Sequence, residues 1–383
     1  MKIRSLTMVM ALALAGCGGG GGSSEQTAST AAKPDAAPAG EEPVLNFYNW
    51  SDYIAPDTLD NFEKETGIKV TYDEMDSNDT LESKILAGDT GYDIVVPSSS
   101  FLGRQIQAGA YQKLDKSKLT NWSNLDEGLM SKLQDVDPGN EYSFPYLWGT
   151  TGIGYNVDKI KEIFGSEDVV NSWDLVFKPE NLAKLKDCGV TFLDAPSEII
   201  PTTLYFLKED PNSFDPAVID KAAALLETLR PSITNFHSSE YIDALASGNA
   251  CLVVGWSGDI IQAKARAAEA GGGVNVGYSI PAEGAAIWFD MVAIPKTAKH
   301  PENAHKFLNF LLRPDVIAGV SNYVSYPNAN KAATPSLDKS ITEDPMITPT
   351  SDTIQNKLYG LAVLSPEAMK KYNDVWTELK AVD

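Results

Sequence analysis

The first apolar run, Val44 to Tyr48, reads as a buried strand opening into the loop Asn49-Trp50-Ser51-Asp52-Tyr53. Pro56 to Glu65 carries Leu59 and Phe62 at helical spacing and stops at Gly67, the residue type suited to the turn past a helix end. Ile68 to Tyr72 alternates like a strand, and Thr80 to Ala87 gathers Leu81, Ile85 and Leu86 on one helical face. Tyr92 to Val96 is a short buried strand ended by Pro97 and Ser98-Ser99-Ser100. This alternation predicts an α/β domain with a mostly parallel sheet, in which ligands sit beyond the carboxyl ends of the strands. Trp50 to Tyr53 and Ser98 to Ser100 both fall at such ends.

Asp115 to Asn140 is polar and loop-rich, and Phe144 to Asn156 reads as a crossover strand leaving the first domain. A second α/β unit follows over 155–280. Its strand Val190 to Leu193 ends in Asp194-Ala195-Pro196-Ser197-Glu198, and helices are expected over Asp220 to Arg230 and Ser238 to Ala246. The strand Cys251 to Gly255 ends in Trp256-Ser257-Gly258-Asp259, ahead of a helical run from Ile260 to Ala270. Strands over Val276 to Ile280 and Gly284 to Ile294 come next, the second holding Trp288-Phe289-Asp290. Helical material then covers Pro301 to Leu312, the stretch from Pro314, and Thr348 to Val382, with a polar loop around Tyr326. There is no internal repeat.

A chain of 383 residues, 43% hydrophobic and 22% charged, has room for about two domains. The net charge of −21 argues against nucleic acid as a partner; it suits a cationic ligand, though it also serves plain solubility. Lys2 and Arg4 precede an apolar stretch, Leu6 to Gly16, too short to span a bilayer and fit for an export signal. Leu14-Ala15-Gly16-Cys17 resembles the lipobox of bacterial lipoproteins, which implies a signal over 1–17 and lipidation of Cys17; the alternative is a plain signal peptide with an incidental cysteine. Residues 18–43 have the composition of a flexible linker, and no transmembrane run follows. An exported chain sees an oxidising compartment, so Cys188 and Cys251 are expected to pair, with two buried thiols as the alternative.

Aromatic rings and acids recur together at Trp50–Tyr53, Trp256–Asp259 and Trp288–Asp290, with Tyr326 as a further ring. Ring faces and carboxylates are what a desolvated cation requires. The structural alternative makes the rings core, Asp52 a turn residue and Asp259 a helix cap or first-turn acid. Gly152-Ile153-Gly154 lacks the third glycine of a dinucleotide fingerprint, and Gly255-Trp256-Ser257-Gly258-Asp259 departs from a nucleophile elbow at its last position. His237 reads as structural, and His300 and His305 as solvated, with no metal-ligand or triad company. A carboxylate-based hydrolase would use paired acids but leaves the accompanying rings unexplained. An iron receptor would want adjacent tyrosines, and an anion receptor basic residues, among the site candidates.

Several stretches together carry a family resemblance: Tyr48-Asn49-Trp50-Ser51-Asp52-Tyr53-Ile54, Phe62 to Val70, Val95-Val96-Pro97-Ser98, Thr150 to Asn156, Phe192 to Pro196, Phe236-His237-Ser238-Ser239, Gly255-Trp256, Phe289-Asp290 and Asn328 to Pro335. From about Leu45 onward the chain resembles the periplasmic polyamine receptors of bacterial ABC importers, and among them the putrescine receptors. The resemblance implies two α/β lobes closing on ligand, one from 44–149 plus 290–340 and the other from 150–289 plus 341–383. It also implies a ligand site of Trp50, Ser51, Asp52, Tyr53, Ser98, Glu198, Ser238, Trp256, Asp259, Trp288, Asp290 and Tyr326, with Phe289 flanking. The acids would take the ammonium groups, and the rings would flank the methylene chain. No cofactor, metal or enzymatic activity is implied; the expected partners are a polyamine and the membrane permease, for a periplasmic or envelope-tethered monomer. A broader or spermidine-preferring receptor and a polyamine sensor stay open. Trp288 stands where the putrescine pattern has Phe, whereas Ala195 keeps that pattern.

Overall fold

The structure is a computed structural model and describes residues 40–88 and 90–381. Ten strands build one sheet: β1 (Val44–Trp50), β2 (Lys69–Met75), β3 (Ile94–Val95), β4 (Ser143–Asn156), β5 (Val190–Phe192), β6 (Asn235–Phe236), β7 (Leu252–Trp256), β8 (Val276–Ser279), β9 (Ala285–Ala293) and β10 (Leu358–Gly360). Their order is β2-β1-β3-β9-β4-β7-β5-β6, with β10 added to β9 and β8 to β4. β1 pairs parallel with β2 and β3, and β5 pairs parallel with β6 and β7. Between these parallel ends run β9 and β4, antiparallel to each other and to β3, β7 and β8, while β10 pairs parallel with β9. All 14 residues of β4 and all nine of β9 are buried, the pattern of strands covered on both faces.

Side chains divide into two apolar cores. One joins residues of 45–148 to residues of 287–333, for example Phe47, Phe62, Tyr146 and Phe307. The other joins residues of 153–285 to the last helix, Pro366–Ala381, with Phe101 added; Trp173, Phe192, Tyr241 and Tyr372 lie in it. The crossing strands β4 and β9 feed both cores.

Local signals explain most elements. The helix Thr58–Thr66 ends at Gly67, whose φ of 73° a side chain would oppose. The helix Asn78–Ala87 starts at Ser77, whose hydroxyl accepts from the Thr80 N–H. Several helices differ from expectation, and the strand β10 interrupts the stretch from Thr348 to Val382 expected to be helical. Pro196–Phe206 carries Pro201 in its interior, and Ser99–Gln107 begins inside a serine run that reads as loop. The helix expected from Ser238 starts at Tyr241.

The expected signal over 1–17, its Cys17 and the linker as far as residue 39 lie outside the described residues. The linker's end is not a free spacer. The Glu41 carboxylate accepts from the Glu302 and Asn303 N–H groups, each at 2.9 Å, in the first turn of the helix Pro301–Leu311. Cys188 and Cys251 form a disulfide with 5.7 Å between Cα atoms, tying together the entries of the paired strands β5 and β7. No helix of the described residues is long and apolar enough to cross a membrane. His300 and His305 are not solvated as expected. His300 pairs with the buried Asp93 at 3.0 Å, and buried His305 accepts from the Asp115 N–H at 2.9 Å. His237 is structural, its Nδ1 accepting from the Ser239 and Glu240 N–H groups.

Candidate functional site

The sheet register assembles the site. β9 places Trp288 opposite Gly149 and Asp290 opposite Leu147 of β4, while β7 places Trp256 opposite Thr151. Side chains alternate along a strand, so Trp288 and Asp290 share one face and Phe289 takes the other. Phe289 packs toward Trp148, at 6.3 Å between ring centroids, and is absent from the cavity lining. A glycine at 149 is required by the approach of Trp288: a Cβ there would lie 2.7 Å from the indole.

The cavity encloses about 460 Å³ of non-atom space, its mouth included. Eleven of the twelve expected side chains line it: Trp50, Ser51, Tyr53, Ser98, Glu198, Ser238, Trp256, Asp259, Trp288, Asp290 and Tyr326. The exception is Asp52. It sits in the turn after β1 at φ 55°, outside the lining, and its carboxylate pairs with Arg266 at 2.9 Å. Arg266 also holds Asp243 at 2.8 Å, so Asp52 belongs to a rim ion-pair cluster. Met75, Asp76, Ser239 and Ile242 line the cavity without having been named as site residues: Met75 ends β2, Asp76 follows it, Ser239 closes the stretch Phe236-His237-Ser238-Ser239, and Ile242 comes from the helix Tyr241–Ala246.

Rings form an edge-to-face series. Trp50 meets Trp256 at 5.8 Å, Trp256 meets Trp288 at 6.4 Å, Trp288 meets Tyr326 at 5.5 Å, and Tyr326 meets Tyr53 at 5.2 Å. The Trp50 indole N–H is satisfied by the Val96 carbonyl at 2.9 Å, whereas that of Trp288 is buried without a partner among the described residues.

Three buried carboxyls stand among these rings, each approached by two neutral donors. Asp290 accepts from the Tyr53 hydroxyl at 2.9 Å and the Ser98 hydroxyl at 2.6 Å. Asp259 accepts from Tyr241 and Tyr326, both at 2.7 Å. Glu198 accepts from the Trp256 indole at 2.9 Å and from the Thr151 hydroxyl. Glu198 and Asp259 stand in the first turns of the helices Pro196–Phe206 and Ser257–Ala270, where the helix end favours negative charge.

Burial outweighs these donors. It pushes the Asp290 and Glu198 carboxyls up to about 7 and that of Asp259 up to about 6, with repulsion between the acids adding to the rise and the donors opposing it. Burial also holds the Tyr53, Tyr241 and Tyr326 phenols well above their ordinary range, so they remain donors. No Lys, Arg or His is among the described lining residues. The site is an acidic, ring-walled cavity short of positive charge.

Residues 57–349 match the model of the bacterial extracellular solute-binding proteins. The chain is 54% identical over 345 residues to the putrescine-binding periplasmic protein SpuD of Pseudomonas aeruginosa, covering 90% of this chain and 94% of that one. It is 54% identical over 344 residues to the putrescine-binding periplasmic protein PotF of Escherichia coli, covering 90% and 93%. Identity to the spermidine/putrescine-binding periplasmic protein of Escherichia coli is 37% over 347 residues, covering 90% and 94%. Among solved structures, the spermidine/putrescine ABC transporter substrate-binding protein PotD of Streptococcus pneumoniae superposes with a TM-score of 0.71 at 30% identity, covering 88% of this chain and 98% of that one. The fold is the two-lobed α/β fold of such receptors, and this chain belongs to the family of bacterial extracellular solute-binding proteins.

Proposed function

We propose that this protein is an extracytoplasmic receptor that encloses a polyamine, putrescine foremost, between two closing lobes and delivers it to an ABC importer. The observation that carries this reading is the trio Glu198, Asp259 and Asp290, buried among aromatic rings with no cation in the lining. Such a cavity works against itself when empty. Two ammonium groups supply the missing charge through charge-assisted hydrogen bonds, and the rings flank the methylenes between them. The names of the relatives at 54% identity, both putrescine-binding, support the same ligand.

In this reading the eleven lining side chains expected from the sequence hold the ligand and Asp52 belongs to the rim. The lobes are 44–149 plus 290–340 and 150–289 plus 341–383, and the ligand favours the closed state by its greater affinity for it. The protein acts as a receptor without catalysis, a reading supported by its membership of the extracellular solute-binding proteins. It is exported, tethered through Cys17 and monomeric. Trp288 favours a second reading, a receptor that also takes spermidine, because it stands where the putrescine pattern has Phe.

Thermal unfolding of protein stripped of carried-over ligand tests the proposal. Putrescine, cadaverine and spermidine are compared with 1,4-butanediol, which has the chain but no charge. A bound ligand raises the midpoint according to its concentration over Kd. A rise with putrescine and none with the diol is expected. Equal shifts, or no shift with any amine, would remove the polyamine assignment.

A further inference from the structure

The cavity presents three buried carboxyls, while a diamine brings two positive charges. Enclosing all three acids ionised around a diamine leaves one uncompensated negative charge in a low-dielectric space, a costly outcome. A proton on one acid removes it. Hydrogen-bond direction identifies which acid has room for that proton.

Asp259 has none. The Tyr326 oxygen already accepts from the Asp259 N–H at 3.1 Å and the Tyr241 oxygen from the Trp256 N–H at 3.3 Å, so both hydroxyl hydrogens turn to the Asp259 carboxylate. At Asp290, the Ser98 oxygen accepts from Asn78 at 2.9 Å, committing its hydrogen to the carboxylate; the other neighbour is the Tyr53 phenol, a weak acceptor. At Glu198, the Trp256 N–H only donates, but the aliphatic Thr151 hydroxyl has no further hydrogen bond among the described residues and can turn its lone pairs to a protonated Oε2.

We propose that the trio holds a diamine with Glu198 protonated and a triamine with Glu198 ionised, so that one solvent-exchanged proton adjusts the cavity to the charge of its ligand. This rests on the polyamine reading above. On triamine binding the Glu198 proton leaves to solvent and the third ammonium takes its place; on diamine binding it stays. The groups facing Glu198 supply no cation that would hold it ionised. They are Asp259 on the helix Ser257–Ala270, Asp290 on β9 and the neutral phenols Tyr241, Tyr278 and Tyr359. Its rise toward neutral pH on burial agrees with this assignment. Because the acids interact, the proton count belongs to the trio, with Glu198 its main seat.

The consequence is a pH-dependent preference. Triamine binding releases one more proton than diamine binding, so acidification penalises it more. Between about pH 6 and 7.5, where the amines stay charged, the putrescine-to-spermidine affinity ratio rises by up to about tenfold per pH unit of acidification.

Calorimetry of the intact protein with putrescine and spermidine, in buffers of different ionisation enthalpy, reads the proton count directly. One extra proton released with spermidine is expected, together with the sloping ratio. In Glu198→Gln the ratio loses its slope, the extra proton disappears, and spermidine weakens more than putrescine. Equal proton counts and a flat ratio in the unmodified protein would overturn the inference and leave the polyamine reading standing. No heat with either amine, from folded protein, would remove the polyamine reading itself.

Discussion

Replacing Asp290 with Asn keeps the shape of the site and removes one charge. Asp290 is buried at the centre of β9, and two donors, the Tyr53 and Ser98 hydroxyls, hold its oxygens. Asparagine can accept from Ser98 through its carbonyl oxygen and donate to the Tyr53 oxygen through its amide, so the fold should survive. The magnitude follows from two opposing effects. Burial lifts the carboxyl from 3.8 to about 7, so holding it ionised in the empty cavity costs about 4 kcal/mol relative to water. At pH 7 partial protonation relieves only roughly 0.4 kcal/mol of that cost, and this is what must be given back when an ammonium arrives and the acid ionises. Against this stands the loss of the ammonium's charged partner in a buried site, about 3–5 kcal/mol. The net expectation is putrescine affinity lower by about 100-fold or more. Calorimetry measures it, and the ligand-free midpoint checks folding. That midpoint should hold or rise slightly above neutral pH, because a strained charge has gone. Affinity within threefold of the unmodified protein, from a folded variant, would refute the assignment of Asp290 as an ammonium partner.

Other outcomes follow from the same geometry. Asp290, Glu198 and Asp259 have folded-state values raised above those of free carboxyls, to about 7, 7 and 6. The ligand-free cavity therefore gains stability as pH falls through that window toward the unfolded values near 4. Putrescine affinity moves the other way below about pH 7, weakening toward pH 5.5 as Asp290 and Asp259 take up protons, and calorimetry over that range should show it; a flat profile would contradict the titration of these acids in the site. Asp52→Asn breaks an ion pair whose Asp52 side chain is 45% exposed, so it should cost diamine affinity no more than about 1 kcal/mol. A loss as large as that for Asp290→Asn would return Asp52 to the cage. Reducing the Cys188–Cys251 bridge, which closes a separation of 63 residues, should lower unfolding stability by at most about 4 kcal/mol in denaturant titration. It should change putrescine binding little, since neither cysteine lines the cavity.

The sequence made much of this architecture legible because apolar periodicity and turn residues coincide in β1, the helix Thr58–Thr66 and β2, where Gly67 marks the stop. The acids and rings at strand ends were legible for a topological reason: carboxyl ends of strands face the ligand side of an α/β sheet. Local pattern misled elsewhere. The stretch after Leu193 reads as a strand's tail, yet a helix runs from Pro196 to Phe206, through Pro201, so Glu198 sits in a helical first turn. The serine run before Phe101 conceals the start of the helix Ser99–Gln107, whose face buries Phe101 and Leu102. Asp52 has the right chemistry and neighbours, but the positive-φ turn outside the lining is a backbone event that residue type does not report. Phe289 fails by strand alternation, which fixes its face only once Trp288 and Asp290 are known to point inward. The partners that tune the acids, Thr151 and Tyr241, lie 47 and 18 residues away from theirs and meet them only in the folded chain, Thr151 from β4 and Tyr241 from the helix Tyr241–Ala246.

The central claim is that the acid trio and its rings enclose a diammonium ion. Titrating putrescine calorimetrically into protein freed of carried-over ligand by unfolding and refolding tests it most directly. A tight one-to-one isotherm that loses strength on acidification is the expected result. Absence of heat from protein verified as folded would contradict the claim and mean that the cavity serves another ligand.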